Sequence, residues 1–185
     1  PEFPGIESFT GTVVHPQFWP QDLDYRGKRV VIIGSGATAV TRLPSMADDA
    51  ASVTMLQRSP TWIGVVRGRD AFADRARALL PPDLAHRLIR TKNILFGIGF
   101  YQYCRRRPAA ARKLLTGLAT RILKDEKLVA EHFTPRYDPW DQRLCAAPDA
   151  DFYRAVRKGK AEVVTDHIDG FVPDGIRLRS GRVLP

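Results

Sequence analysis

The feature that most constrains this chain is an apolar run that ends in glycines. In Arg29-Val30-Val31-Ile32-Ile33 every residue after the arginine is β-branched. A short run that is apolar on both sides of the pleat reads as a buried parallel strand. It leads into Gly34-Ser35-Gly36-Ala37-Thr38-Ala39, after which Val40, Leu43 and Ala47 recur at helical spacing, and Ser52-Val53-Thr54-Met55-Leu56-Gln57 forms a second strand. Strand, tight turn, helix and strand in that order form the nucleus of an α/β fold. We expect a Rossmann-like, doubly wound parallel sheet.

The turn has a physical requirement written into it. Gly34 permits the sharp change of direction, and Gly36 removes a side chain where a pyrophosphate would approach the backbone. Ala39 is small enough for helix and strand to pack closely. The free amides at the helix start, backed by its dipole, attract an anion, and Ser35, Ala37 and Thr38 complete the candidate cradle. The alternative is a glycine turn that only makes a connection. Downstream, the place where an NAD site carries Asp or Glu is occupied by Gln57-Arg58-Ser59-Pro60, with Arg58 24 positions beyond Gly34. A guanidinium there suits the 2′-phosphate of NADP(H), with Ser59 beside it, whereas a carboxylate would repel that group. The competing reading of Arg58 is a surface arginine at a strand end.

The 185 residues, 44% of them hydrophobic, can bury one core and a small attachment. Residues 1–29 read as an irregular approach rich in Pro and Gly. Residues 30–66 and 131–185 read as the nucleotide-binding unit, and 67–130 as a helical insertion. Within that insertion Pro108 suits a first helical turn, and Leu114, Leu118 and Ile122 recur beside Ala111, Leu115 and Ala119. Phe152–Val156 reads as helix and Ala161–Thr165 as strand. Residues 176–184 alternate around Ser180-Gly181 as a β-hairpin.

Charge is unevenly placed. Between Arg67 and Lys127 stand 15 Lys and Arg against 5 Asp and Glu, while the rest of the chain is nearly balanced within a net +9. The basic residues alternate with Leu and Ala and carry no RNA- or DNA-binding signature, which argues against nucleic acid. A solvated helical face is one reading, and a surface for an anionic ligand, another domain or a membrane periphery is the other. No apolar run approaches the roughly 20 residues of a membrane span. Cys104 and Cys145 lack metal-type spacing and read as reduced thiols of a cytoplasmic protein, with no metal site.

Ahead of the first strand, Phe9-Thr10-Gly11-Thr12-Val13-Val14-His15-Pro16-Gln17-Phe18-Trp19-Pro20 reads F-x-G-x-x-x-H-x-x-x-W-P. Together with the glycine turn and Leu56-Gln57-Arg58-Ser59-Pro60-Thr61-Trp62, it resembles the NADP-binding domain of the type I Baeyer–Villiger monooxygenases. The block from His132 to Cys145 is similar to a segment of the ethionamide-activating members of that family. The resemblance spans nearly the whole chain with its blocks in the family's order.

That resemblance implies more than the pattern does. It implies an FAD-dependent parent that uses NADPH and O2 to insert oxygen beside a ketone carbonyl through a peroxyflavin. Arg143 falls on the family's active-site arginine, a permanent cation suited to stabilising a developing anion. Residues 1–29, with His15, correspond to a linker between FAD and NADP domains, although a lone histidine is as readily a structural hydrogen-bonder. Where many members carry Lys before that arginine, this chain has Gln142, a 2′-phosphate contact without charge. A second glycine turn for FAD is missing and the chain opens on Pro1, so the expectation is an excised or truncated domain. Such a domain binds NADPH, lacks its FAD-binding partner and cannot oxygenate a ketone or sulfide alone. Other readings are the NADPH domain of an N-hydroxylating or sulfoxidising flavoprotein, and a non-catalytic basic interaction module.

Overall fold

In the computed structural model, which describes residues 3–185, the approach segment holds two single 3-10 turns, Ile6–Ser8 and Pro16–Phe18. Strand β1 (Arg29–Ile33) and helix α1 (Ala37–Met46) flank the glycine turn, and β2 (Ser52–Gln57) and β3 (Trp62–Val66) follow. Four helices come next: α2 (Ala71–Leu79), α3 (Pro82–Arg106), α4 (Pro108–Leu123) and α5 (Glu126–His132). The chain then runs through β4 (Leu144–Pro148), α6 (Asp151–Arg157), β5 (Ala161–Thr165), β6 (Ile168–Val172), β7 (Gly175–Leu178) and β8 (Val183–Leu184).

The prolines set the helix boundaries. Pro82 and Pro108 each stand in a first turn, where the missing N–H costs nothing. Asp70 and Asp125 accept backbone N–H bonds at the starts of α2 and α5. On α4 the buried row is Ala111, Leu115, Ala119 and Leu123, while Leu114 is 44% exposed. The sequence placed both rows on that helix, and the packing selects the one with the smaller residues.

The three-stranded sheet has the order β1-β2-β5, all parallel. Its register sorts side chains by face. Val30, Val53 and Ala161 align, as do Ile32, Met55 and Val163, and both rows join one core with α1, α4, α5 and α6. Phe133, Phe152 and Tyr153 meet edge to face within it. The opposite face presents Val31, Leu56 and Val164 to a second core. Antiparallel β6-β7-β8 builds that second core, together with Phe3, Ile6 and Phe9 of the approach.

The parallel sheet and its helices agree with the expected α/β class, and the 176–184 hairpin is present as β7 and β8. The second face differs from a sheet wound with helices on both sides. It is closed by the antiparallel sheet, because β6 pairs back onto β7. A separate parallel pair, β3 and β4, was not anticipated and aligns Trp62 with Leu144 and Ile63 with Cys145.

Candidate nucleotide site

Parallel strands deliver their following loops to one edge of the sheet, the edge where α/β proteins place ligands. Ile33 is opposite Leu56, so the glycine turn after β1 and Arg58 after β2 leave the sheet together. Gly34 continues the ladder by donating its N–H to the Leu56 carbonyl at 2.8 Å. Its φ of +116° is a conformation that glycine adopts without a Cβ clash. Gly36 has ordinary extended angles and caps α1 without any side-chain hydrogen bond, leaving the first amides of the helix free of a side-chain acceptor. Ala39 is buried in the first core.

The space above Gly36 is occupied by a side chain from another part of the chain. A Cβ there would stand 3.0 Å from Nη1 of Arg143. The guanidinium therefore lies directly over the point where a phosphate would reach the backbone. Arg143 is exposed and, among the described residues, has no acidic partner. Arg58 and Ser59 are likewise exposed, and no carboxylate pairs with Arg58 among the described residues. Among the described residues the side chains of Gln142 and Thr38 make no hydrogen bond, whereas the Ser35 hydroxyl is engaged with Thr61 Oγ1 at 2.7 Å. Ser35 is thus a strut between the turn and β3, and its carbonyl also meets Cys145 Sγ at 3.7 Å. Both cysteines are free and buried, and burial pushes both thiols up.

Sequence reasoning assigned Gln57 no role. It is 2% exposed, and its Nε2 donates to the His132 carbonyl at 2.7 Å and to Thr165 Oγ1 at 2.9 Å. His132 Nδ1 lies 2.7 Å from the same hydroxyl. Burial holds the His132 imidazole below its ordinary pKa, partly opposed by Glu131. This closed network fixes the end of β2, and with it the root of Arg58, to β5 and α5. The only signal in the sequence was a polar residue directly after the apolar pair Met55-Leu56 at the strand end.

His15 is exposed, and its contacts are local: Nδ1 accepts the Gln17 amide at 3.3 Å, and the ring lies 5.6 Å from that of Phe18. No contact brings it to the glycine turn. The motif's Phe9 and Trp19 are packing groups. Phe9 sits edge-on to Phe171, and Trp19 lies against Tyr25 and beneath the Arg42 guanidinium. Among the described residues there is no cluster of metal-ligating side chains and no helix long and apolar enough to cross a membrane.

A glycine turn at the carboxyl edge of a parallel sheet, with an arginine just after the second strand, gives an α/β unit of Rossmann-like build. Residues 1–72 match the family described as Flavin-binding monooxygenase-like. The whole chain is 50% identical to the FAD-containing monooxygenase EthA of Mycobacterium tuberculosis, of which it covers 38%. It is 48% identical to the probable FAD-binding monooxygenase AlmA of Acinetobacter baylyi, covering 37% of that protein. From end to end, the chain is homologous to one segment of the FAD-containing monooxygenases, and it spans well under half the length of these curated relatives. Its fold is similar to that of part of an oxidized steroid monooxygenase bound to NADP, with a TM-score of 0.75 at 21% identity over all of this chain and 42% of that one. OTEMO in complex with FAD and NADP gives 0.73 at 19% identity, over 98% of this chain and 42% of its own.

Proposed function

We propose that this chain is the NADPH-binding part of an FAD-dependent Baeyer–Villiger monooxygenase. The observation that carries the reading is the pairing of Gly36, which puts no side chain of its own at the helix start, with two arginines that have no acidic partner among the described residues, Arg143 above the turn and Arg58 at the same sheet edge. The residues fit the dinucleotide. Gly34, Ser35, Gly36, Ala37, Thr38 and Ala39 form the pyrophosphate cradle, with Ser35 acting as its strut. Arg58, Ser59 and Gln142 receive the 2′-phosphate.

Within the whole enzyme, FAD held outside this segment supplies the oxygen-activating chemistry when bound. Arg143 places a fixed positive charge where negative charge develops on the carbonyl oxygen of a small ketone, with a sulfide as the alternative substrate class. His15, in the 1–29 linker, influences how the two nucleotide-binding parts meet. In this division, 30–66 and 131–185 bind NADPH and 67–130 is the insertion. The exposed Leu88, Leu95 and Phe96 of α3, with Arg87 nearby, are the residues that a peripheral contact with an anionic membrane would use, and co-sedimentation with anionic vesicles tests that contact. An N-hydroxylating or sulfoxidising parent would use the same turn and arginine. The F-x-G-x-x-x-H-x-x-x-W-P stretch favours the Baeyer–Villiger type, and the nucleotide turn disfavours a purely basic interaction module.

Calorimetric titration of the chain with NADPH and NADH tests the core of this reading. NADPH binds more tightly by about tenfold or more, the value of a charge-assisted contact, and Arg58→Glu removes that preference. Equal affinity of the unmodified chain for both nucleotides would sink it.

A further inference from the structure

We infer that Asp138 and Asp141 are positioning residues of the nucleotide site: held by Arg112 of α4 and Arg105 of α3, they set where Arg143 stands over Gly36. The inference deepens the NADPH reading and, for its functional part, rests on it.

Arg143 has no acidic partner of its own among the described residues, so its place over the turn comes from the backbone that carries it. That backbone, residues 137–143, is held at several independent points. The Tyr137 carbonyl accepts the indole N–H of buried Trp62 at 2.9 Å. Asp138 pairs with Nε of Arg112, and Asp141 pairs with Nη1 of Arg105. The two aspartates also close a turn on each other: Asp141 N–H donates to the Asp138 carbonyl at 3.0 Å, and Asp138 N–H donates to Asp141 Oδ2 at 3.2 Å. The Arg105 guanidinium holds the Asp141 carboxyl below its ordinary pKa.

Between the aspartates, Trp140 has φ +71°, a left-handed conformation that a residue with a Cβ adopts only when its surroundings impose it. Its ring lies 5.8 Å from that of Tyr101 on α3, nearly perpendicular to it. Arg143 follows three residues later, at the entrance to β4.

Each ion pair is about half exposed, and such pairs add little to global stability. Their joint effect is geometric: two helices of the basic stretch grip one turn from outside and aim the arginine at its end. The excess of arginine between residues 67 and 127 thereby has a use close to the nucleotide. This use needs no nucleic acid or membrane partner.

The test uses Arg105→Gln, Asp141→Asn and the charge-retaining Asp141→Glu, each alone and with Arg143→Gln. Lys160→Gln, which breaks the remote Lys160–Asp48 pair, serves as control. In the nucleotide-free chain, the amide resonances of Gly36 and Ala37 shift in Arg105→Gln and Asp141→Asn in the direction that Arg143→Gln shifts them. They stay in place in Lys160→Gln, and Asp141→Glu restores most of the original position. NADPH affinity falls about two- to fivefold in Arg105→Gln and Asp141→Asn, the range open to a half-exposed pair, with no further fall once Arg143 is already Gln. Gly36 resonances that respond to Arg143→Gln but not to the clamp variants overturn the inference, as do affinity losses that add to that of Arg143→Gln. If the unmodified chain fails to bind NADPH, the functional reading falls, and the Gly36 resonances still decide the clamp.

Discussion

The guanidinium carbon of Arg42 stands 4.2 Å from the centre of the Trp19 indole, joining the approach segment to the outer side of α1. Trp19 is only partly buried, so its contribution combines packing against the first core with a cation–π contact. In urea unfolding, Arg42→Met should cost about 0.5–1 kcal/mol, the worth of an exposed cation–π pair. Trp19→Ala should cost more, since it also removes buried ring surface. A double-mutant cycle should return a coupling near the first figure, and zero coupling would reduce the contact to mere proximity.

Gly36→Ala separates binding from folding. The backbone there is extended and accepts any residue, so the variant should fold and lose only the N-cap preference for glycine over alanine, about 1 kcal/mol or less. The new methyl meets Arg143 and narrows the approach to the helix amides. NADPH affinity should fall tenfold or more, equivalent to about 1.4 kcal/mol, as read by calorimetry. A variant that unfolds, or one that binds as before, contradicts this account of the turn.

Tyr153 donates its hydroxyl to the Ile63 carbonyl at 2.9 Å from within the core, and burial pushes the phenol far up. Tyr153→Phe keeps the ring contacts with Phe133 and Phe152 but removes the buried hydrogen bond to that carbonyl. The expected loss is about 1–3 kcal/mol in chemical denaturation, with nucleotide affinity unaltered.

The His132 imidazole supplies a pH signature. Its folded pKa is depressed, so above the ordinary value of 6.5 it is neutral in both states and costs nothing. As pH falls below 6.5 the unfolded chain takes up a proton that the folded chain refuses. Stability should then decline by at most about 1.4 kcal/mol per pH unit until the folded pKa is reached. His132→Gln should flatten the profile between pH 6.5 and 5, above the range where the lowered carboxylates of Asp70 and Asp166 add their own loss at lower pH. An unchanged slope in that variant would show that another group sets it.

The elements that could be read from sequence are those whose signal is local. β1, β2 and β5 are short runs whose apolar pattern suffices, and Pro82 and Pro108 mark helix starts without help from the rest of the chain. β3, β4 and β6 escaped for a common reason. Gly64 interrupts the first, alanines and a terminal proline thin the second, and Asp169-Gly170 divides the third, so the apolar pattern is too weak to mark them, and β3 and β4 also pair across some eighty residues. The same holds at the site. The cradle from Gly34 to Ala39 is contiguous and was legible, and Arg58 lies at a distance that a β-α-β unit dictates. The approach of Arg143 to Gly36 spans 107 positions and exists because β4 pairs with β3, beside a strut from Thr61 to Ser35. Family likeness singled out Arg143, but no spacing rule pointed to Asp138, Asp141 or Gln57.

The second core also determines how this unit meets whatever adjoins it. Phe171 donates its amide to the Pro4 carbonyl at 2.7 Å, and Thr10 bonds the Pro173 carbonyl through both its amide and its hydroxyl. Phe3, Ile6 and Leu184 share one apolar cluster. Entry and exit therefore emerge side by side on the face away from the helices. The segments 3–10 and 171–184 are thus one packing unit, and removing apolar surface from either exposes that of the other.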